Sequence, residues 1–134
     1  MTQKYIVIDL ETTGNSPKKG DRIIQFAGVV IENDEIVEEY STYIHPGQEI
    51  TVFIEELTGI SDETVKDAPA FEEVAERIAG LLEGACFVAH NVLFDLSFLQ
   101  EELIRCGYEP FYGSTLDTVE LAKIMKPTAE GYKL

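Results

Sequence analysis

The chain has 134 residues, which is enough for one ordinary domain and not for two. Apolar residues make up 45% of it, enough for a real core, yet no apolar run approaches the length of about 18 residues that predicts a membrane span. The formal net charge of −15 excludes the broad basic surface of most nucleic-acid binders, so either nucleic acid is not the partner or it binds at a small metal-bridged site.

Targeting signals and cysteines point to a cytoplasmic protein. The N-terminus has no basic segment followed by an apolar one, as a secretory signal would have. Cys86 and Cys106 stand in apolar or helical surroundings without metal or disulfide spacing. We therefore expect two free thiols in a reducing compartment.

The first predicted strand carries two acids at its end. Tyr5 to Ile8 is a continuous apolar run, typical of a central strand covered on both faces. Asp9 and Glu11 follow on the same side of the strand, roughly 6.6 Å apart along the chain. Such a pair is tolerated where a cation neutralises it, and hard oxygen ligands select Mg²⁺ or Mn²⁺. The alternative is an acidic strand end that faces water.

Three strands joined by short connections come first. Asn15 to Gly20 is a loop by composition, Arg22 to Glu32 reads as a second strand, and a turn at Asn33-Asp34 leads to a third strand from Glu35 to Pro46. These three segments predict an antiparallel meander. The acids between Glu32 and Glu39 indicate a solvated sheet edge rather than a site.

Helices and strands then alternate. Gln48 to Ile60 becomes a short helix with Val52, Ile54 and Leu57 as its apolar positions, and Ser61 with Thr64 predicts a capped turn. Further predicted elements are an amphipathic helix from Pro69 to Glu83, a strand from Cys86 to His90, a helix from Asn91 to about Cys106, a strand from Gly113 to Asp117 and a helix from Thr118 to Met125. The apolar residues that fall on one side of the first of these helices are Phe71, Val74, Ala75, Ile78, Leu81 and Leu82. The order predicts an α/β fold with a mixed sheet and helices packed on it.

A third acid follows the fourth strand. Asp95 shares a helix face with Val92, Phe98 and Leu99, one turn from the helix start, where a negative charge is favourable. That position would let a carboxylate approach a site at a strand end, although most helical acids face solvent. Asn91 is either a helix cap or a functional residue.

Four short motifs together resemble a known family. They are Asp9-Leu10-Glu11-Thr12-Thr13-Gly14, Leu57-Thr58-Gly59-Ile60, the segment from His90 to Leu99, and Leu116-Asp117-Thr118. In this order and at these spacings they resemble the DnaQ-like 3′–5′ exonucleases of the DEDD superfamily, which have a ribonuclease H-like fold. The whole is most similar to the exonuclease domain at the N-terminus of Gram-positive DinG-type helicases, with the exonuclease module of the replicative polymerase a close second.

The resemblance implies roles for particular residues. Asp9, Glu11 and Asp95 match acids that hold two divalent ions, Mg²⁺ or Mn²⁺. The residues expected at the terminal nucleotide of a single-stranded 3′ end, DNA in preference to RNA, are Thr12, Thr13, Leu57, Thr58, Asn91 and Phe94. Lys18, Lys19 and Arg22 would meet backbone phosphates, or else form a solvated loop.

The family also uses a histidine that activates water and a fourth aspartate about five residues after it. The chain has only His45 and His90, and neither matches that motif; His90 reads more readily as a hydrogen-bonded strand-end residue than as a ligand. We therefore expect residues 1–134 to be an exonuclease domain that stops before the third exonuclease motif and the last helix, fused to a helicase or polymerase region and inactive or nearly so alone. The alternatives are a non-catalytic docking module and an exoribonuclease that acts on short RNA.

Overall fold

A computed structural model of the chain describes residues 3–119. Its elements follow the predicted order, within one to three residues at most ends. They are β1 Lys4–Thr12, β2 Ile23–Glu32, β3 Glu35–Tyr43, α1 Val52–Thr58, α2 Asp62–Val65, α3 Phe71–Leu82, β4 Cys86–Ala89, α4 Val92–Arg105 and β5 Thr115–Asp117. The predicted helix from Thr118 to Met125 lies outside the described residues apart from its first two positions.

The five strands form one mixed sheet in the order β3-β2-β1-β4-β5. β1 pairs antiparallel with β2, and β2 antiparallel with β3, which confirms the predicted meander. Its tight turn uses Asn33 and Asp34 at positive φ values of 53° and 66°, as a two-residue hairpin turn requires. β4 runs parallel to β1 and β5 parallel to β4, so the carboxyl ends of these three strands meet at one edge of the sheet.

The main core lies between this sheet and the helices α3 and α4. Ile6, Ile8 and Leu10 of β1 point into it, as the alternation along a strand requires. The apolar face predicted for α3 is confirmed, because every one of its six residues is buried: Phe71, Val74, Ala75, Ile78, Leu81 and Leu82. A second, smaller cluster holds α1 and α2 against the start of β2, through Ile24, Ile54 and Val65.

The prediction that β1 is covered on both faces is wrong for the described part of the chain. β1 is central in the sheet, but Tyr5 and Val7 are 36% and 37% exposed while Ile6 is fully buried. The apolar run therefore reflects one buried face and one accessible apolar face. Asp9 and Glu11 continue the accessible face.

Three smaller predictions concern the surface and the cysteines. The third strand is an exposed edge, with Glu35 to Glu39 all at the surface, as expected. Cys86 and Cys106 are free thiols. Within residues 3–119 no helix has the length and apolar character that crossing a bilayer requires.

Candidate active site at the carboxyl edge of the sheet

Asp9 and Glu11 lie side by side at the end of β1. Leu10 between them points into the core, whereas Asp9 is exposed and Glu11 is half-buried. The pKa of Glu11 is raised, first by burial and then by the negative charge of Asp9. The two carboxylates thus face the same side, as the strand alternation predicts, and they repel each other.

Asp95 brings a third carboxylate toward the same place. It occupies the first turn of α4 and is only 6% exposed, so it does not face bulk solvent. Its pKa is raised to about 7, mainly by burial and then by the charges of Asp9 and Glu11, while a hydrogen bond from the backbone N–H of Leu10 acts in the opposite direction. The charges of both acids act on Asp95, and Leu10, which lies between them, donates a hydrogen bond to it. Asp95 therefore belongs to the same candidate site.

The donor set of this site suits a hard cation. All three side chains offer carboxylate oxygens, and none of the four ion pairs within residues 3–119 involves them. No group of three or more His, Cys, Asp or Glu side chains in this part of the chain is gathered tightly enough to form a metal-binding cluster as it stands. The three carboxylates are thus neighbours whose like charges favour separation, and a cation would have to draw them together.

A cleft of about 500 Å³ opens beside the acids. Its lining includes Glu11, the turn that follows β1, part of α1, and Phe94. Five of the six residues expected at the nucleotide line it: Thr12, Thr13, Leu57, Thr58 and Phe94. The sixth, Asn91, lies at the start of α4 and is exposed.

The two threonines hold the turn in shape. Both are 8% exposed. The Thr12 hydroxyl donates to the carbonyl of Gly14 at 2.6 Å, and the Thr13 hydroxyl donates to Gln48 Oε1 at 2.7 Å and accepts from the backbone N–H of Arg22 at 2.9 Å. Their hydroxyls are therefore engaged in the fold, which leaves the backbone and methyl groups to face the cleft.

The helix α1 presents exposed apolar side chains to the cleft, Phe53 and Leu57. Of the three predicted apolar positions, Ile54 is buried, but Val52 and Leu57 are 70% and 69% exposed. Phe53, which the sequence did not single out, is also 70% exposed and lines the cleft. Phe94, on the opposite wall, is 38% exposed and packs on Phe98 with ring centroids 5.1 Å apart.

The start of α4 is capped by a residue far away in sequence. Asn91 adopts a left-handed conformation with φ of 62°, and its side chain makes no capping bond. Instead, the Asp117 carboxylate accepts from the backbone N–H groups of Asn91 and Val92, at 3.2 and 3.1 Å. His90 Nδ1 lies 3.3 Å from the Thr118 hydroxyl, consistent with a hydrogen-bonded strand-end residue.

The basic residues of the loop before β2 separate into two kinds. Lys18 and Lys19 are exposed in a short 3-10 helix, Pro17–Lys19. Arg22 points the other way: its Nε and Nη2 donate to the two oxygens of Glu102, both at 2.8 Å. The expectation that Arg22 meets a phosphate is therefore wrong, because its guanidinium is already paired.

Comparisons with known proteins show which family the chain belongs to. Residues 6–134 match a family model, RNase_T, described as "Exonuclease". The chain is 56% identical over 132 residues to the 3′-5′ exonuclease DinG of Bacillus subtilis, and 39% identical over 131 residues to the PolC-type DNA polymerase III of Caldanaerobacter subterraneus. Each match covers 98% of the chain but only 14% and 9% of the respective relative.

Solved structures give the same fold. A product-bound exonuclease I superposes with a TM-score of 0.83 at 22% identity, over 98% of this chain and 34% of that one. The zinc-ion-bound form of an Escherichia coli exonuclease I complex with single-stranded DNA has a TM-score of 0.82 at 22% identity, over 96% of this chain and 31% of that one. The family model spans nearly the whole chain, and on that ground the protein belongs to the RNase_T exonuclease family, with an α/β fold like that of exonuclease I.

Proposed function

We propose that this chain is a catalytic 3′–5′ exonuclease domain. It hydrolyses the terminal phosphodiester bond at the 3′ end of a single strand, DNA in preference to RNA, and releases nucleoside monophosphates. The observation that carries the proposal is the juxtaposition of Asp9, Glu11 and the buried Asp95 beside an open cleft with apolar walls. The family match and the names of the relatives support this choice of reaction.

The three acids are proposed to hold two divalent ions, Mg²⁺ or Mn²⁺. An all-oxygen, all-anionic donor set favours these ions over softer metals. Burial first, and then the charges of Asp9 and Glu11, raise the pKa of Asp95 to about 7, because no counter-charge offsets them. When bound, such ions polarise a phosphoryl oxygen and lower the pKa of water. Metal binding would favour the ionised form of Asp95 and so relieve the repulsion.

The cleft is proposed to take the last nucleotide. Phe94 and Leu57 are exposed apolar side chains on its two walls, with Phe53 as a further contact, and a base removed from its stack gains by lying on such groups. Thr12, Thr13 and Thr58 would act mainly through backbone and methyl groups, because the hydroxyls of all three are engaged in the fold. Asn91, which is exposed at the start of α4, would act through its side-chain amide. Recognition of this kind requires a single-stranded end.

The net charge of −15 is consistent with a site of this size. A site that touches few nucleotides through metal ions needs little basic surface, since the number of neutralised phosphates sets the electrostatic contribution. The longer relatives carry most of their length outside the matched region. We propose that a helicase or polymerase region in the same polypeptide supplies further contacts to the strand.

In the described part of the 134-residue chain, no histidine is positioned as a general base at the three acids. His45 Nδ1 accepts from the backbone N–H of Gly47, and His90 pairs with Thr118, so neither imidazole is bonded to the three acids in the described part. Loss of a positioned base typically costs on the order of 10²–10⁴ in rate. We therefore expect the chain alone to be nearly inactive under multiple-turnover conditions.

The test uses the 134-residue chain in excess over an oligonucleotide labelled at its 5′ end. DNA and RNA of one sequence are incubated with Mn²⁺ for seconds to hours, and the products are separated on a denaturing gel. We expect slow shortening of the DNA from its 3′ end, absent in Asp9→Ala and after chelation. Asp67→Ala, which removes an exposed acid elsewhere, is the control and should behave like the unsubstituted chain.

Each contrary outcome has a distinct meaning. No shortening after hours, together with no Mn²⁺-dependent binding of the strand, would contradict catalysis and favour the docking module. Faster shortening of RNA would favour the exoribonuclease. Complete release of mononucleotides within seconds would contradict the argument that a positioned base is missing.

A further inference from the structure

Glu102 is a buried charge that the proposed chemistry does not use. It is 1% exposed, on α4, and its carboxylate has three ionic or hydrogen-bonded partners. Arg22 donates to both oxygens at 2.8 Å, Arg105 Nη1 donates to Oε1 at 2.6 Å, and the backbone N–H of Ile23 lies 3.4 Å from Oε2. The bond to Arg22 is bidentate and charge-assisted, the strongest and most directional kind of side-chain hydrogen bonding.

Arg22 is also hydrogen-bonded to Thr13, the residue that directly follows β1. Its carbonyl accepts from the backbone N–H of Thr13 at 2.8 Å, and its own N–H donates to the Thr13 hydroxyl at 2.9 Å. The next residue, Ile23, pairs with Thr12 just past the register shift that follows Glu11. Arg22 therefore holds the segment after Glu11 through its backbone and holds α4 through its side chain.

Glu102 and Asp95 lie on the same side of α4. They are seven residues apart, nearly two turns, which is about 10.5 Å along the helix axis, and both are buried. At the other end, Asp117 caps the first backbone N–H groups of α4. The helix is thus fixed by directional bonds at both ends of the segment that presents Asp95 to the strand.

Packing alone would not fix that position. The apolar residues of this face, Phe98, Leu99 and Leu103, are fully or almost fully buried, and burial of apolar area is non-directional. A buried ion pair is poor support for stability, because apolar residues of similar volume often replace it without loss. The directional bonds between Arg22 and Glu102 instead limit how far α4 can slide or rotate against β1.

We propose that Arg22 and Glu102 are positioning residues that set the placement of Asp95 relative to Asp9 and Glu11. This inference rests on the proposed metal site. Arg22 and Glu102 bond each other, with Glu102 about 10.5 Å along α4 from Asp95, and the pair acts on the site through α4. Outer groups that orient metal ligands typically change metal affinity by about 10–100-fold when they are removed.

The test measures Mn²⁺ affinity by calorimetric titration at pH 8, with thermal unfolding recorded for every variant. The double variant Arg22→Met with Glu102→Leu replaces the pair by apolar volume, and it releases the half-exposed Arg105 to solvent. Arg77→Met with Glu38→Leu is the control, because it removes an ion pair of 2.7 Å at an exposed place with the same change in net charge. For the Arg22/Glu102 double variant we expect a near-normal melting temperature and about tenfold weaker Mn²⁺ binding. For the Arg77/Glu38 control we expect unchanged Mn²⁺ binding.

A coupling measurement separates positioning from general damage. Asp95→Asn should weaken Mn²⁺ binding strongly in the unsubstituted chain and only slightly in the double variant, because Asp95 is already displaced there. Equal losses of Mn²⁺ affinity in the two backgrounds would overturn the inference and leave the proposed metal site unaffected.

If the double variant does not fold, Glu102→Gln replaces it in the same cycle. Its amide keeps one acceptor for Arg22 and should give an intermediate loss of Mn²⁺ affinity. Absence of Mn²⁺ binding in the unsubstituted chain would overturn the proposed site and this inference together.

Discussion

Asp95→Asn should stabilise the metal-free protein, even though it removes a residue proposed to be essential. The pKa of Asp95 rises from the usual 3.8 to about 7 in the folded chain. Between these two values the folded state keeps a proton that the unfolded state has lost, so stability falls as the pH rises through this interval, and above pH 7 the cost of the buried charge is complete. An amide of the same shape does not carry that cost.

The size of the effect follows from the two pKa values. Each tenfold change in acid dissociation corresponds to about 1.4 kcal/mol, so the limit for the rise from 3.8 to about 7 is ~4 kcal/mol. The groups around a buried charge relax, which makes the real cost smaller than this limit, and we therefore expect about 1–2 kcal/mol. For a chain of this length that is a rise in melting temperature of roughly 4–8 °C at pH 8.

The assay is thermal and urea unfolding followed by circular dichroism, at pH 5 and pH 8, in chelator and in Mn²⁺. In chelator, the Asn variant should exceed the unsubstituted chain at pH 8, and much of the difference should disappear at pH 5. In Mn²⁺ the order should reverse, because a ligand that binds only the folded state stabilises it. Asp67→Asn, at an exposed acid, is the matched control and should change little. An equal gain at both pH values, or no gain at pH 8, would refute the reasoning.

Two further predictions concern the cleft and the turn beside it. Phe94→Ala removes a half-exposed ring from the cleft wall and should weaken single-strand binding by roughly tenfold or more in fluorescence anisotropy, with Mn²⁺ affinity unchanged; equal strand binding would contradict the stacking role. Gly14→Ala places a methyl group against the Asp21 carboxylate, which is held by a backbone N–H, and should lower the free energy of unfolding by about 1–3 kcal/mol in urea. Gly80→Ala, in α3 with no neighbouring atom within 4 Å, should raise it by about 0.5–1 kcal/mol, and a similar loss at both glycines would contradict the steric argument.

Local patterns predicted much of the fold. The period of α3 gave its buried face, and the turn at Asn33-Asp34 gave the hairpin, because both depend on residues close together in sequence. The capping box of Ser61 and Thr64 was found for the same reason. Alternation along β1 also placed Asp9 and Glu11 on one side, which is the part of the candidate site that a strand fixes by itself.

Whether an apolar face is covered could not be predicted in this way. Periodicity shows that Val52 and Leu57 of α1 are apolar, but it does not show what lies opposite them: both are exposed, and Leu57 lines an open cleft. The same limit applies to Tyr5 and Val7, whose run of apolar neighbours resembles a strand buried on both sides.

Contacts between distant parts of the chain were also missed. Arg22 and Glu102 are 80 residues apart, and each alone reads as a surface charge. Asp117 belongs to a motif that the sequence singled out, yet its bonds to the start of α4 depend on the parallel pairing of β4 with β5. The only sequence signal for the ion pair is that Glu102 repeats the helix face of Asp95 after seven residues.

The proposed function requires that Asp9, Glu11 and Asp95 together bind divalent cations. The most direct measurement is a calorimetric titration of the chain with Mn²⁺ at pH 8, compared with Asp9→Ala and with Glu39→Ala, which removes an exposed acid from the far edge of the sheet. We expect saturable binding that is lost or strongly weakened in Asp9→Ala and kept in Glu39→Ala. Equal binding by all three proteins would mean that Mn²⁺ is attracted only by the net charge of −15 and that the three acids form no metal site.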